Sequence, residues 1–201
     1  MNVAIIGLGN MGKGLARRLA GKVELTLATR KAGDAQALAA ELGAKAGEVD
    51  AAIAGADVVV LALPYGEALE LAGSARLDGK VLVDISNPVN ATFSGLTVGH
   101  SSSAAEEIQK AATGAKVVKA FNTIFAGLFD KDTTAVPVFV AGNDEAAVAT
   151  VAALVAKSGF AVEKVGGLDG ARLVEPVGML NIRLGYGLGK GTAIAPAWVT
   201  V

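Results

Sequence analysis

Residues 3–12 read V-A-I-I-G-L-G-N-M-G, and this stretch decides the fold. The apolar run 3–6 predicts a buried β-strand, and apolar residues at helical spacing over 11–20 predict a helix directly after the last glycine. A strand, a G-x-G-x-x-G turn and a helix in this order are typical of a site for a dinucleotide. The alternative, a plain strand-to-helix turn, explains less of the pattern.

Each glycine of the turn has a separate role in such a site. Gly7 permits the tight turn, Gly9 lets a pyrophosphate approach the backbone, and Gly12 lets the helix pack closely on the strand. Free N–H groups and the helix dipole then favour the bound anion. We therefore expect the pyrophosphate to lie on Gly7, Leu8, Gly9, Asn10, Met11 and Gly12.

The end of the second predicted strand, 23–28, indicates which dinucleotide binds. An NAD site usually has Asp or Glu here, because its carboxylate accepts from the ribose 2′-hydroxyl. This chain has Thr29, Arg30 and Lys31 instead, and all three side chains can donate to a 2′-phosphate. The sequence therefore predicts NADP(H), with a solvated basic loop as the alternative.

Apolar runs alternate with helix-like segments along most of the chain. Further runs cover 58–63, 81–85, 117–120 and 136–141, and the helix-like segments cover 34–42, 67–72, 104–112 and 145–157. Continuous apolar runs are typical of parallel strands that are covered on both faces. The pattern predicts an α/β fold with a doubly wound, mostly parallel Rossmann sheet over residues 1–168.

The C-terminal segment, 169–201, is predicted to be a helix and tail rather than an independent domain. Residues 172–188 have apolar residues at helical spacing, Pro176 interrupts them, and an apolar tail with Trp198 follows. Because an exposed apolar tail needs a cover, we expect it to pack on the ligand crevice or on a second subunit, as in a homodimer.

Composition narrows the classes of function. The chain has 201 residues, a net charge of −1 and no cysteine. A near-neutral chain gives no reason to expect nucleic acid or a membrane surface as a partner, and a small-molecule redox acceptor is expected instead. Without cysteine there are no thiolate metal sites, and no other metal site is expected. No membrane span or leader is recognised, so the cytoplasm is the expected location.

Ligands of an open α/β sheet bind outside the carboxyl ends of its strands, so residues just after each strand are candidates for the site. A nicotinamide ring needs an apolar wall and a few polar groups, and these segments provide both. The predicted cofactor-binding residues are Leu63, Pro64, Tyr65, Asn87, Pro88, Ala120, Phe121 and Asn122, and the predicted substrate-binding residues are Asn122, Thr123 and Ile124. The alternative is that Pro64 and Pro88 only end strands.

No side chain is assigned as a catalytic acid or base. His100 precedes Ser103 and Glu106, which form a capping-box pattern, and this favours a loop or capping role for it. Hydride exchange between two cofactor rings can proceed without a proton donor of the kind that carbonyl reduction needs.

Four other charged residues are not assigned a role in the site. Asp84 and Glu175 lie in apolar surroundings, and no spacing pairs either of them with a partner. Arg17 and Arg18 are expected on a solvated helix face.

These motifs resemble the coenzyme F420-dependent NADP oxidoreductase family, whose nucleotide domain is shared with STEAP-type metalloreductases. The resemblance rests on residues 7–12, 29–30, 63–65, 84–88, 103–106, 119–123, 138–144, 172–175 and 180–183. It implies hydride transfer between NADP(H) and F420, FMN or FAD, in a pocket that the C-terminal helix and tail help to form. One segment departs from the deazaflavin enzymes. They have His at the position of Phe121, and the pair Phe121-Asn122 is closer to the metalloreductase pattern. A flavin is therefore an alternative to F420 as the acceptor.

Two other functions stay open as well. β-Hydroxyacid dehydrogenases share the glycine motif, but their catalytic Lys has no counterpart here, since residues 167–170 lead to Arg172 and Glu175. A module that senses the NADP(H) redox state without turnover would show the same nucleotide motifs.

Overall fold

A computed structural model of the chain describes residues 1–198. In this part of the chain the strands are β1 (Asn2–Ile6), β2 (Glu24–Ala28), β3 (Lys45–Ala46), β4 (Val58–Leu61), β5 (Val81–Asp84), β6 (Lys116–Lys119), β7 (Pro137–Gly142) and β8 (Ala161–Lys164). The helices are α1 (Asn10–Leu19), α2 (Ala32–Leu42), α3 (Val49–Gly55), α4 (Tyr65–Ser74), α5 (Ala104–Ala111), α6 (Glu145–Lys157) and α7 (Ala171–Ile182).

The strands form one sheet in the order β3-β2-β1-β4-β5-β6-β7-β8. From β1 the chain first builds outward through β2 and β3, and it then returns to build the other side from β4. The switch point of this doubly wound sheet therefore lies between β1 and β4, where a crevice opens at the carboxyl ends of the strands. The predicted Rossmann fold is confirmed.

One strand differs from the sequence-based expectation. The run 136–141 is predicted as a parallel strand, but β7 pairs with β6 in the antiparallel sense. The connection between them, residues 120–136, contains only a single short 3₁₀ turn and no crossover helix, so the chain does not return to start a parallel strand. The sequence analysis also missed β3, α3 and β8, which are short or only partly buried.

The core consists of two apolar layers, one on each face of the sheet. Strand β1 contributes to both layers, because Val3 and Ile5 point to one face and Ala4 and Ile6 to the other. Helices α1, α2 and α6 cover the first face, and α3, α4 and α5 cover the second. The central strands are therefore buried on both faces, as their continuous apolar runs predict, whereas β3 and β8 are largely exposed.

The C-terminal helix is present, and it runs on through Pro176 into a π-helical turn, Arg183–Gly187. Further along the tail, the ring of Trp198 packs edge-on against Phe139 of β7 at 5.4 Å between centroids. Only the helix and its π-helical turn line the crevice. The last part of the predicted tail, 199–201, lies outside the described residues, and the domain division at residue 168 stays a prediction.

No helix within residues 1–198 has the length and apolar character needed to cross a membrane.

Candidate active site

The glycine turn has the geometry that its sequence predicts. Gly7 has φ +98°, and a Cβ there would lie 2.4 Å from the carbonyl oxygen of Ala62. A Cβ on Gly12 would lie 2.0 Å from the carbonyl oxygen of Gly7, so α1 starts directly against the turn. Gly9 is the N-cap of α1 and has open space where a Cβ would be. Because no side chain caps this end, the first N–H groups of α1 are free to bind an anion.

A cavity of about 470 Å³, which we call the outer pocket, lies beside this turn. It is lined by Ile6, Gly7, Leu8, Gly9, Thr29, Arg30, Val49, Ala62, Leu63, Pro64, Glu67, Glu70, Leu71 and Ser74. Since β1 lies between β2 and β4 in the sheet, Arg30 and Glu67 stand on opposite walls. The Arg30 guanidinium donates to the Glu67 carboxylate at 2.8 Å, and the two side chains are 82% and 40% exposed. Lys31 is exposed and does not line this cavity.

A second cavity of about 380 Å³, the inner pocket, continues the groove and shares Gly9, Ala62, Leu63 and Pro64 with the outer one. Its strand-end lining is Asn10, Met11, Ile85, Asn87, Phe121, Asn122, Thr123, Ile124, Phe125 and Ala126, and helix α7 and its π-helical turn add Gly178, Asn181, Ile182 and Tyr186. The structure thus brings most of the predicted cofactor- and substrate-binding residues together in one groove.

Five of the predicted residues do not line either cavity: Gly12, Lys31, Tyr65, Pro88 and Ala120. Ala120 is fully buried in the core, and Pro88 is buried in the turn after β5. Tyr65 packs against the apolar layer under α4. Burial raises the pKa of its hydroxyl, and the nearby carboxylates of Glu107, Glu175 and Asp84 raise it further.

Two asparagines from neighbouring strand ends form a reciprocal pair in the inner pocket. The Asn87 side-chain amide donates to the carbonyl oxygen of Asn122 at 2.6 Å. The Asn122 amide in turn donates to Asn87 Oδ1 at 3.0 Å and to the carbonyl oxygen of Val174 at 2.9 Å. Phe121, the residue before Asn122, is buried with φ +59°, a conformation that non-glycine residues rarely adopt.

Two side-chain oxygens among the residues that line the inner pocket are buried and have no protein partner. They are Oδ1 of Asn122 and Oγ1 of Thr123, and the two residues are 6% and 2% exposed. Leaving a buried polar atom unpaired costs about 1–3 kcal/mol. Such atoms in a pocket lining therefore point to a ligand with polar groups of its own.

Helix α7 closes the inner pocket, as the family resemblance implies for the C-terminal helix, but its individual residues were not among the predicted site residues. A Cβ on Gly178 would lie 2.6 Å from Asn87 Oδ1, so only glycine permits the approach of this helix. Asn181 donates to the carbonyl oxygen of Thr123 at 3.1 Å. Tyr186, on the π-helical turn, packs edge-on against Phe125. The apolar spacing of residues 172–188 predicts the helix, and its expected cover was the crevice or a second subunit, but the spacing does not single out which residues face the pocket.

Asp84, Lys119 and Glu175 form a buried ion triad. This corrects the expectation that Asp84 and Glu175 have no charged partner. The Lys119 ammonium contacts Asp84 Oδ2 at 2.7 Å and Glu175 Oε1 at 2.8 Å. Asp84 and Lys119 are direct partners in the parallel register of β5 and β6. The opposite charges of Asp84 and Lys119 at the ends of two buried strands could have indicated their ion pair from the sequence. Glu175 could not have been added in this way, because it lies on a distant helix.

The expectation for Arg18 is also wrong. Its guanidinium donates to the carbonyl oxygens of Phe129 and Lys131, each at 2.6 Å, and lies over the ring of Phe160. Arg18 therefore anchors the loop after β6 rather than facing solvent. Arg17 does lie on an exposed face, where it pairs with Glu41.

The predicted N-cap is confirmed, but the Glu106 carboxylate accepts from the Ser103 hydroxyl rather than from the Ser103 backbone N–H that a capping box requires. Ser103 is the N-cap of α5, and its hydroxyl accepts from the backbone N–H of Glu106. The Glu106 carboxylate accepts from Arg172, and this bond holds the pKa of Glu106 below its ordinary value. His100 lies in the exposed loop before this helix with φ +58°.

The sheet order, the glycine turn at its switch point and the groove define a dinucleotide-binding protein of the Rossmann class, with the fold of NADP-dependent oxidoreductases. Residues 2–88 match the family model described as coenzyme F420-dependent NADP oxidoreductase. A solved structure from Arthrobacter sp. FB24, provisionally named an F420-dependent NADP-reductase, is 33% identical, with a TM-score of 0.83 over 96% of each chain. The chain belongs to the F420-dependent NADP oxidoreductase family.

Other comparisons agree with the fold. A hypothetical protein from Sinorhizobium meliloti is 30% identical, with a TM-score of 0.77 over 85% of this chain and 87% of that one. An imine reductase from Aspergillus terreus, solved with NADPH4 and dibenz[c,e]azepine, has a TM-score of 0.72 at 19% identity, over 93% of this chain and 62% of that one. At that identity the likeness shows the fold alone. No curated protein matches the sequence.

Proposed function

We propose that this protein transfers hydride between NADP(H) and a deazaflavin or flavin acceptor, such as F420, FMN or FAD, in the groove formed by the outer and inner pockets. The observation that carries the proposal is the inner pocket itself. It continues directly from the glycine turn, and it combines apolar walls with two buried, unpartnered oxygens, on Asn122 and Thr123. Membership of the F420-dependent NADP oxidoreductase family supports the same acceptor class.

The residues of the groove fit NADP(H) along its length. Thr29 and Arg30 would bind the 2′-phosphate, and the open space over Gly9 would admit the pyrophosphate. The nicotinamide would lie in the inner pocket, whose lining includes Asn122 and Thr123. Bound NADPH supplies the hydride, which leaves with its electron pair, and one proton from solvent completes the reduced acceptor ring.

The protein's own contribution to this reaction is orientation and exclusion of water. Within the described lining of the inner pocket there is no Lys, His, Asp or Glu, so no strong acid or base faces the ring. Lys119, three residues before Asn122, is fully buried between two carboxylates. Because its ammonium does not reach the pocket, it cannot serve as the catalytic Lys of a β-hydroxyacid dehydrogenase. Ile124 and Tyr186 offer apolar surface to a planar acceptor, and holding two rings in contact accounts for most of the catalysis such a site can provide.

The test is an acceptor panel. Purified protein is mixed with NADPH and, in separate reactions, with F420, FMN, FAD or a small quinone, and the absorbance at 340 nm is followed. Oxidation of NADPH that depends on F420 or a flavin is expected. Tight NADPH binding without oxidation by any acceptor would contradict the proposal and favour a redox sensor, and oxidation by the quinone alone would contradict the acceptor class.

We also propose that the protein is a homodimer. Leu173 and Leu180 on the outer face of α7 are 70% and 55% exposed, and such apolar surface favours a partner. Sedimentation velocity of the purified chain measures the state directly, and a monomer at micromolar concentration would contradict this assignment.

A further inference from the structure

The ion triad of Asp84, Lys119 and Glu175 is buried but has no part in the function proposed above. Its three side chains are at most 1% exposed. The Lys119 ammonium also donates to the carbonyl oxygen of Ser86 at 2.7 Å, and Asp84 Oδ1 accepts from the N–H of Ser86 at 2.8 Å. Lys119 thus has three oxygen partners, and the turn after β5 is held by two separate bonds.

The triad joins four separate segments of the chain. Asp84 ends β5, Lys119 ends β6, and Glu175 belongs to α7. The Glu175 carboxylate also accepts from the N–H groups of Ala104 and Ala105 at the start of α5, at 3.0 and 3.3 Å. All of these contacts are buried.

Each residue of the triad is followed, three positions later in the sequence, by a residue that lines the inner pocket. Asp84 is followed by Asn87, Lys119 by Asn122, and Glu175 by Gly178 on the same helix. Asn87, Asn122 and Gly178 contact one another in the pocket wall. The triad therefore fixes the relative positions of the three segments that build this wall.

Stability alone does not explain the three charges. Desolvating an ion costs several kcal/mol, and replacing a whole buried ion group by uncharged residues of similar volume is often neutral or stabilising. Charged hydrogen bonds differ from apolar packing in being directional, so they define one register for the elements they join.

We infer that Lys119 and its two carboxylates are positioning residues, which hold the Asn87–Asn122 pair and helix α7 in the register that seats the nicotinamide ring. The inference rests on the proposed function, since it assigns the ring to the inner pocket. The outer pocket is lined by other segments, namely the glycine turn, Arg30 and α4, and no residue of the triad belongs to its lining.

The experiment compares two ligands that share the outer pocket. NADPH reaches both pockets, whereas 2′,5′-ADP has no nicotinamide and reaches only the outer one. In Glu175→Gln, which keeps the side-chain volume, we expect the Kd for NADPH to rise about 10-fold, the equivalent of one hydrogen bond. The Kd for 2′,5′-ADP should stay within about twofold, and the fluorescence of bound NADPH should shift toward that of free NADPH.

A second variant removes all three charges at nearly constant volume: Asp84→Asn, Lys119→Met and Glu175→Gln combined. We expect it to fold, to bind 2′,5′-ADP like the wild type, and to lose NADPH affinity by at least as much as the single variant. The matched control is Glu41→Gln, which breaks an exposed ion pair with Arg17 and should change neither affinity.

The outcomes separate the inference from the function beneath it. Equal losses for both ligands in Glu175→Gln, or no loss for either, would overturn the positioning role. If the triple variant does not fold, the single variant decides by the same criterion. A wild-type protein that binds neither NADPH nor 2′,5′-ADP would instead refute the proposed function, and the inference with it.

Discussion

The two halves of the groove are built in different ways. The outer pocket consists of backbone at the glycine turn and of exposed side chains such as Arg30 and Glu67. The inner pocket combines apolar walls with polar side chains from distant segments, and Asn122 donates to Asn87 and to the Val174 carbonyl oxygen across 35 and 52 residues of sequence. The outer half is therefore specified by short contiguous motifs, and the inner half by the packing of distant segments.

This difference has a consequence for mutation. In the outer pocket, backbone geometry is indispensable, whereas individual exposed charges tune affinity by screened interactions. In the inner pocket, a change of a single methyl group displaces several partners at once, because the segments are close-packed. Comparing the affinities for NADPH and 2′,5′-ADP distinguishes the two pockets, because NADPH reaches both of them and 2′,5′-ADP reaches only the outer one.

The largest effect is expected for Gly12→Val. Its Cβ would lie 2.0 Å from the carbonyl oxygen of Gly7, so α1 must move away from the turn. We expect NADPH and 2′,5′-ADP to lose affinity together, by about 100-fold or more, because several charge-assisted bonds to the pyrophosphate are lost. Isothermal titration calorimetry measures both. The control is Gly55→Ala, where a Cβ meets open space, and wild-type affinity in Gly12→Val would contradict the assigned phosphate turn.

Arg30→Ala tests the outer pocket without disturbing its backbone. Loss of the guanidinium should raise the NADPH KM about 10- to 100-fold and leave NADH nearly unaffected, because only NADPH has the 2′-phosphate. Steady-state kinetics with the active acceptor measures both constants. Lys31→Ala, which removes a charge from outside the cavity lining, should have a smaller effect. Equal losses for the two nucleotides would exclude the 2′-phosphate role.

Gly178→Ala tests the inner pocket alone. The added Cβ would lie 2.6 Å from Asn87 Oδ1 and 3.0 Å from the Asn122 amide, so α7 or the asparagine pair must shift. We expect NADPH affinity to fall about 10-fold, as for the loss of one hydrogen bond, with 2′,5′-ADP unchanged. Gly73→Ala on α4, where the new Cβ makes only ordinary contact, is the control. A parallel loss of 2′,5′-ADP affinity would show that the two halves are not independent.

The same contrast explains what the sequence could reveal. The fold and the outer pocket follow from local patterns, since the glycine turn and residues 29–31 are contiguous and their chemistry is direct. Strand-end positions such as Asn87 and Asn122 were also predictable, because parallel strands end at one edge of the sheet.

The remainder depends on how distant elements dock. Glu175, Gly178 and Asn181 belong to the site only because α7 lies across the strand ends, and apolar spacing does not state against what a helix packs. Arg18 was misread for a similar reason. Its partners are carbonyl groups of a loop more than 100 residues away, and a backbone acceptor leaves no mark in the sequence.

The smallest effect on nucleotide affinity is expected for Glu67→Gln, which tests a single side-chain contact of the outer pocket. Glu67 pairs with Arg30 across the cavity, so its carboxylate competes with a 2′-phosphate for the guanidinium and repels that phosphate. Since exposed pairs contribute less than about 1 kcal/mol, we expect NADPH to bind about 2- to 5-fold tighter and NADH to be unchanged.

Salt and a neighbouring carboxylate provide the controls for Glu67→Gln. The gain should disappear in about 1 M salt, where the screening length falls to about 3 Å. Glu70→Gln removes a carboxylate from the same cavity without breaking the Arg30 pair, so it should give a smaller gain. Weaker NADPH binding in Glu67→Gln would mean that Glu67 holds Arg30 in place for the phosphate. The outer pocket would then depend on a side-chain contact in the same way as the inner one.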